Sequence, residues 1–142
     1  IDMGVKPFLV ASSIQAVLAQ RLVRVLCKEC KQVDPDPDRR VLQLLGFTDR
    51  ELQDKQVYRS VGCPACNGTG YRGRKGIFEM MQMNNEIREM AFKRAPSNLI
   101  RKAAKASGMK TLLDDGKNKI LSGMTTAAEI ARVTQAEGLM TE

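Results

Sequence analysis

The sequence predicts an α+β fold that is mostly helical, with short strands, a lobe built around four cysteines and a carboxy-terminal helical region. Three observations predict this class. The chain has 142 residues, of which 43% are apolar, so it can bury a sizeable core. Its cysteines form two C-x-x-C pairs. From residue 85 onward, apolar residues recur at helical spacing between capping residues and glycines.

Composition excludes several function classes. Histidine is absent, which excludes a histidine general base and a histidine-ligated metal within this chain. Aromatic residues make up 4%, so platforms for base stacking are not expected. The net charge of +7 predicts a solvated basic surface or, alternatively, an anionic partner. No apolar stretch of the sequence reaches the roughly 18 residues of a membrane span.

The first elements are predicted to be a short strand and a helix. Residues 5–11 are interpreted as the strand or its lead-in, and Ser12 with Gln15 forms a capping-box pattern for a helix over residues 13–26. Its apolar residues at helical spacing are Ile14, Val17, Leu18, Leu22, Val25 and Leu26. Its cationic residues are expected to share another face, which is solvated or contacts phosphate or a partner. These are Arg21, Arg24 and Lys28.

Two short helices and a strand are predicted between the cysteine pairs. Asp38 can cap a helix that ends at Gly46. Thr48 and Glu51 form a second capping box. Residues 57–59 are expected to form a short strand that leads into the second pair.

A glycine-rich segment, Gly68 to Gly76, follows the second cysteine pair. We expect it to form flexible turns, and it lacks the G-x-x-x-x-G-K-[ST] order of a phosphate-binding loop. A strand is predicted from Ile77 to Met83, with methionines that fill a core rather than a binding surface.

Four helices are predicted in the remainder of the chain. The first covers residues 85–93. The second opens at Pro96 and Ser97 and ends at Gly108, the third runs from Thr111 to Gly123, and the fourth runs from the capping box of Thr126 and Glu129 to Gly138. Asp114 and Asp115 lie early in the third helix, where carboxylates favour the helix dipole, so we do not interpret them as a catalytic pair. The sequence thus predicts no catalytic residue and no nucleotide-binding residue in this chain.

The strongest functional signal is the set of four cysteines, of which none is left over. The pairs are Cys27 with Cys30 and Cys63 with Cys66. Two intervening residues let a tight turn direct both sulfurs at one ion, and two such pairs complete a tetrahedral site. We therefore predict structural Zn²⁺. An iron–sulfur centre is a minor alternative, and two disulfides, four free thiols or a redox pair are the alternatives without a metal.

Neighbouring residues support the metal interpretation. Gly62 and Gly68 flank the second pair, and glycine permits the positive φ angles with which backbone amides turn toward thiolates. Lys28 and Arg24 are expected to offset thiolate charge. Closing the long loop between the pairs costs about 3–4 kcal/mol of chain entropy, by analogy with a disulfide. Structural zinc supplies about 10–16 kcal/mol, so a loop of this length is tolerable.

Motifs along nearly the whole chain resemble those of the type II secretion and type IV pilus assembly ATPases. In order, they are Asp2-Met3-Gly4-Val5, Pro7 to Ser13, Val17 to Cys27, Cys63 and Cys66 with Gly68 to Arg74, Gly76 to Glu79, Gly108 to Leu112, Asp115-Gly116, and Gly123 to Thr126 with Glu129, Val133 and Thr134. The region between the cysteine pairs contributes little to the resemblance.

The resemblance implies a hexameric, cytoplasmic ATPase that is peripheral at the bacterial inner membrane. The family's nucleotide-binding motifs have no counterpart here, so the chain is expected to be a carboxy-terminal fragment that is inactive alone. ATP and Mg²⁺ would bind only to the full-length parent. Residues 1–26 would end a RecA-like core, residues 27–76 would form a zinc-binding lobe, and residues 77–142 would form a strand and a helical region.

The main hypothesis is therefore a motor segment whose metal lobe and helices couple ATP-driven motion to a membrane platform or to neighbouring subunits of a homohexamer. Inner-membrane assembly proteins are the implied partners, and no specific nucleic acid is expected. The alternative is a zinc-containing nucleic-acid-binding module, which the net charge of +7 supports. A chaperone module is a third hypothesis, because Cys63-x-x-Cys66-x-Gly68-x-Gly70 resembles the repeat of DnaJ-type chaperones. That module uses four such repeats, and the first pair here lacks the glycines.

Overall fold

The computed structural model describes residues 4–53 and 55–138. Within these ranges the chain is α+β, as predicted. Its helices are α1 (Pro7–Ser13), α2 (Arg39–Leu44), α3 (Asp49–Gln53), α4 (Asn85–Phe92), α5 (Ser97–Ala106), α6 (Leu112–Leu121) and α7 (Ala127–Gly138). Its strands are β1 (Ala16–Leu26), β2 (Gln32–Val33), β3 (Tyr58–Arg59) and β4 (Tyr71–Gln82). None of the helices in these ranges combines the length and the apolar character that crossing a membrane requires.

The predictions for the first two elements are wrong, because the structure has them the other way round. A helix, α1, replaces the expected strand, and Pro7 stands in its first turn, where the missing N–H is not needed. A strand, β1, replaces the helix expected over residues 13–26. Much of β1 is exposed, including Leu18 and Leu22, so its sequence shows no two-residue apolar period. Pairing with β4, which is distant in sequence, decides its conformation.

β1 and β4 form a two-stranded sheet. The N–H of Cys27 donates to the carbonyl of Gly70 at 2.9 Å, and the N–H of Met83 donates to the carbonyl of Gln15 at 3.0 Å. The strands are therefore antiparallel. Gly73 within β4 has a φ of +83°, a backbone conformation that glycine adopts without strain. The glycine-rich segment is thus largely strand rather than the flexible turns that were expected.

Several local predictions are confirmed. The carboxylate of Asp38 caps α2 by accepting two backbone N–H groups. The N–H of Thr48 donates to the carboxylate of Glu51 at 2.8 Å, and the N–H of Glu51 donates to Oγ1 of Thr48 at 3.3 Å, as a capping box requires. β3 lies within the strand predicted over residues 57–59. The four helices expected after residue 84 are α4 to α7.

The chain divides into two compact units. The first contains the described residues up to Ala19 together with Phe78–Thr111. In this unit α4 packs against α1 and α5. Its buried residues are Ile87, Ala103 and Ala104. Met81 and Met83 pack against these residues, as the core-filling prediction requires, whereas Met80 is 49% exposed.

The second unit contains the described residues from Gln20 to Ile77 together with those from Leu112 onward. α7 packs against both α6 and α2 in this unit. Ile120 and Ile130 are fully buried there. A Cβ atom at Gly116 would lie 2.8 Å from Cγ2 of Ile130, so glycine allows α6 and α7 to approach this closely.

The carboxylate of Glu129, in α7, is fully buried and accepts hydrogen bonds from two arginines. Its Oε1 accepts the backbone N–H of Arg24 at 3.0 Å and a guanidinium N–H of Arg132 at 2.8 Å. Its Oε2 accepts two guanidinium N–H groups of Arg24, at 3.0 and 2.8 Å, and Nε of Arg132 at 3.1 Å. Burial alone would raise the pKa of Glu129, but these donors outweigh it and lower the pKa to about 2.

This ion pair was not predicted from the sequence. The predicted capping contact exists, because the N–H of Glu129 donates to Oγ1 of Thr126 at 3.2 Å. The carboxylate, however, binds Arg24, whose guanidinium also lies 4.2 Å from the ring centroid of Tyr71. Arg24 and Glu129 are 105 positions apart, so no local pattern could have indicated the contact.

Replacing Glu129 with glutamine is expected to lower the free energy of unfolding by about 3 kcal/mol, because a buried charge partner of two arginines is lost. Chemical denaturation measures this. Glu89→Gln is the matched control, since Glu89 and Lys93 form a pair that is exposed on both sides, and its loss should cost far less because solvent screens the pair. Equal losses of stability in the two variants would show that the buried pair contributes no more to stability than the exposed pair.

The difference in the free energy of unfolding between the wild type and Glu129→Gln depends on pH, and its sign follows from the pKa of Glu129. The folded pKa of Glu129, about 2, lies below its ordinary value of 4.5. The stabilisation is therefore complete above the ordinary pKa and is lost as the pH falls toward the folded pKa. The difference in the free energy of unfolding should therefore shrink as the pH falls from 4.5 toward about 2, and chemical denaturation at several pH values measures it.

Candidate metal centre

Two short strands bring the cysteine pairs together. β2 follows the first pair and β3 precedes the second, and the strands pair antiparallel with Gln32 opposite Arg59 and Val33 opposite Tyr58. Cys27 directly follows the end of β1. The second pair encloses a single 3-10 turn, Pro64–Cys66, that leads into β4. The cysteines are therefore held at the junctions of paired strands.

The four sulfurs form one cluster. All of them lie within 4.8 Å of one another. The Sγ–Sγ distance is 3.9 Å for Cys27 and Cys63, 3.9 Å for Cys30 and Cys66, and 3.7 Å for Cys63 and Cys66. A tetrahedral zinc site with Zn–S bonds of about 2.3 Å has sulfur–sulfur edges of about 3.8 Å. The cluster thus matches a tetrahedral ion, and all four cysteines are free of disulfide bonds.

Backbone amides donate to two of the sulfurs. The N–H of Gly62 donates to Sγ of Cys30 at 3.3 Å. Sγ of Cys66 accepts the N–H of Cys63 at 3.2 Å and the N–H of Gly70 at 3.1 Å. Donors of this kind stabilise thiolates, so the amides are placed as the glycine pattern around the second pair predicts.

Two of the glycines are sterically required. Gly62 has a φ of +108°, and a Cβ atom there would lie 2.5 Å from the carbonyl oxygen of Gly68. Gly70 has a φ of +74°, and its Cβ would lie 2.6 Å from Cβ of Ser60. Any other residue would both strain the backbone and displace an amide that faces a sulfur.

The electrostatics of the cluster suit a soft cation. Burial, together with the neighbouring thiols, raises the pKa of Cys30 to about 11. Burial also acts to raise the pKa of Cys66, but the N–H groups of Cys63 and Gly70 outweigh it and lower that pKa to about 6. The shifts are opposite because more amide donors face Cys66 than Cys30, and thiolates this close repel one another unless a cation lies among them. Four thiolates are the donor set that zinc and iron–sulfur centres use.

The segment after α6 fastens the first cysteine pair, a contact that the sequence did not predict. Nζ of Lys31 donates to the carbonyl of Gly123 at 2.9 Å and lies 4.7 Å from the ring centroid of Tyr58. The backbone N–H of Leu26 donates to the carbonyl of Met124 at 2.8 Å. No sequence signal could have found the two hydrogen bonds to Gly123 and Met124, because their partners are more than 90 positions apart.

Two arginines near the first pair do not act as predicted. Arg24 was expected to offset thiolate charge, and its guanidinium instead binds Glu129. Arg21 and Arg24 were expected to share a helix face, but β1 places them on opposite faces of a strand. Asp115, by contrast, lies in the first turn of α6 as predicted, and it binds Lys119 at 2.7 Å.

Comparison with known proteins places the chain among secretion and pilus proteins. The family described as "Type II/IV secretion system protein" matches residues 1–132. The chain is 42% identical to the type IV pilus assembly ATPase PilB of Thermus thermophilus, over 91% of the chain and 14% of that protein. It is 43% identical to the type II secretion system protein HxcR of Pseudomonas aeruginosa, over 95% of the chain and 24% of that protein.

A third relative is the type II secretion system ATPase E of Vibrio cholerae, which is 39% identical over 94% of the chain and 26% of that protein. The chain thus spans about a quarter or less of the length of these relatives. The resemblance that the motifs indicated is confirmed by the family match and by the identities. The chain belongs to the Type II/IV secretion system protein family.

Proposed function

We propose that this chain is the metal-binding, carboxy-terminal segment of a secretion or pilus-assembly ATPase. The observation that carries the proposal is the tetrahedral cluster of four cysteine sulfurs in a member of this family. Cys27, Cys30, Cys63 and Cys66 would hold one Zn²⁺. Because the protein supplies all four ligands, no position is left open for a substrate, so the metal would be structural rather than catalytic.

The proposed role of the metal is to make the lobe rigid. It would join the end of β1, at Cys27, to the turn that precedes β4, at Cys66. The Glu129 ion pair and the contact between Lys31 and Gly123 fasten the same region to the segment between α6 and α7 and to α7 itself. A lobe attached in this way can transmit a displacement instead of absorbing it.

The motion would come from ATP hydrolysis elsewhere in a longer chain. The sequence contains no phosphate-binding loop, so ATP and Mg²⁺ would bind outside residues 1–142. Residues 1–26 would complete the ATPase core, residues 27–76 would form the metal lobe, and residues 77–142 the terminal region. The partners would be neighbouring subunits of a hexamer and platform proteins at the cytoplasmic face of the inner membrane.

The first test is the metal content of the purified chain, which should be about one zinc per chain. An iron–sulfur centre would instead give iron, sulfide and visible absorption. Cys63→Ser should lose the zinc, because three thiolates and a hydroxyl bind it far more weakly. Zinc near zero with four freely titratable thiols would contradict the metal proposal.

A pair of glycine variants tests the geometry of the site. Gly62→Ala should lower zinc affinity by more than about tenfold, a loss of about 1.4 kcal/mol, because the new Cβ meets the carbonyl oxygen of Gly68. Gly68→Ala is the matched control. Gly68 also has a positive φ, +75°, but a Cβ there meets no described atom within 4 Å. Competition with a chelator of known affinity measures both, and equal affinities would argue against the observed packing.

The motor role is tested in a full-length relative whose corresponding segment is replaced by this chain. The chimera with Cys63→Ser should keep most of its basal ATP hydrolysis and lose secretion or pilus assembly by at least about tenfold. The chimera with intact cysteines is the control, and the isolated chain should hydrolyse no ATP. Retention of transport at equal protein level would refute the coupling role of the lobe.

A further inference from the structure

The second cysteine pair is followed by the only Asn-Gly dipeptide of the sequence, Asn67-Gly68. In such a pair the backbone nitrogen of glycine can attack the side-chain amide of asparagine, because glycine has no Cβ to hinder the approach. Both residues are exposed to solvent. The reaction requires water and no other partner.

The backbone at Asn67 holds this reaction in an unfavourable geometry. Asn67 is left-handed, with φ of 53° and ψ of 40°. At this ψ the nitrogen of Gly68 lies nearly anti to Cβ of Asn67 about the Cα–C bond. Closing a five-membered ring needs the nitrogen and Cβ on the same side of that bond. A large rotation of the peptide must therefore precede the reaction.

Hydrogen bonds oppose that rotation. The attacking nitrogen belongs to the N–H of Gly68, which donates to the carbonyl of Cys63 at 2.9 Å. The neighbouring amides are engaged as well, since the N–H of Thr69 donates to the carbonyl of Cys66 at 3.2 Å and the N–H of Gly70 donates to its sulfur at 3.1 Å. Rotating the Asn67–Gly68 peptide would break the turn that positions Cys66.

We propose that Asn67 is a deamidation site. The folded turn from Cys63 to Gly70 suppresses the reaction, and loss of the metal, by opening this turn, allows it. Once the turn opens, the nitrogen of Gly68 bonds to the side-chain amide carbon of Asn67, and the carbon–nitrogen bond of the amide breaks. The N–H proton of Gly68 leaves with that nitrogen as ammonia. Water then hydrolyses the resulting succinimide to an aspartyl or isoaspartyl residue.

The product would prevent the metal from returning. Either product adds a negative charge directly after Cys66. The isoaspartyl form also lengthens the main chain by one carbon between Cys66 and Gly70, whose N–H donates to the sulfur of Cys66. The turn would then no longer match the tetrahedral cluster. The fraction of chains that can no longer bind metal would thus grow with the time that the turn spends open.

The gating by metal rests on the proposed function, so zinc is measured first in every sample. Three samples are incubated in parallel. They are the chain as purified, the chain treated with a chelator and a non-thiol reductant, and a peptide spanning residues 61–75. Peptide mapping by mass spectrometry follows the conversion of Asn67. We expect chelation to accelerate conversion at least about tenfold toward the rate of the peptide, because the rate follows the population of the open turn.

Remetallation provides a second readout. After incubation without metal, zinc is added back to the wild type and to Asn67→Gly, which keeps the left-handed conformation and removes the reactive amide. The wild type should regain less zinc in proportion to its isoaspartyl content, and Asn67→Gly should regain all of it. Full remetallation of converted wild-type chain would overturn the claim that the change is permanent.

The remaining outcomes separate this inference from the metal proposal. If the purified chain converts as fast as the peptide, the turn does not protect Asn67 and the inference is wrong. If chelation removes zinc without accelerating conversion, gating by metal is wrong. If the purified chain holds no zinc yet converts more slowly than the peptide, the metal proposal fails and protection by the folded turn stands.

Discussion

The buried carboxylate of Glu129 is the constraint on which the second unit depends. An ionised group without solvent contact is tolerated only when donors surround it, and two guanidinium groups and a backbone N–H do so here. Because one donor is the main chain of Arg24, the contact fixes the path of β1 as well as a side chain. Cys27 follows three residues later, so the same contact also fixes the position of the backbone at the first cysteine pair.

The cluster of four cysteines adds a second constraint. The β2–β3 pairing closes the long loop between the cysteine pairs before any ion is considered. Backbone amides then face the sulfurs of Cys30 and Cys66. Among the described residues no buried side-chain nitrogen or oxygen lacks a hydrogen-bond partner. The protein thus provides a formed frame, to which a proposed zinc ion would add its bond energy.

These two constraints meet in the segment between α6 and α7. The carbonyls of Gly123 and Met124 accept from Lys31 and from the N–H of Leu26, on either side of Cys27. Helices α6 and α7 therefore belong to the same compact unit as the cysteines, while α4 and α5 belong to the other. For the proposed motor role, this makes α7 and the lobe one mechanical element, and it makes the integrity of the Cys66 turn a condition for that role.

Features with a local cause could be predicted from the sequence. The spacing of the cysteines predicted their convergence, and caps such as Asp38 and the Thr48–Glu51 box form because their partners lie within three residues. Long-range contacts in the folded chain, by contrast, make residues 16–26 a strand and direct Arg24 to Glu129 rather than to the thiolates. β1 is exposed along much of its length and so carries no two-residue apolar period, and its partners lie tens to a hundred positions away. Contacts between segments so distant are set by folding as a whole, and neither periodicity nor local propensity encodes them.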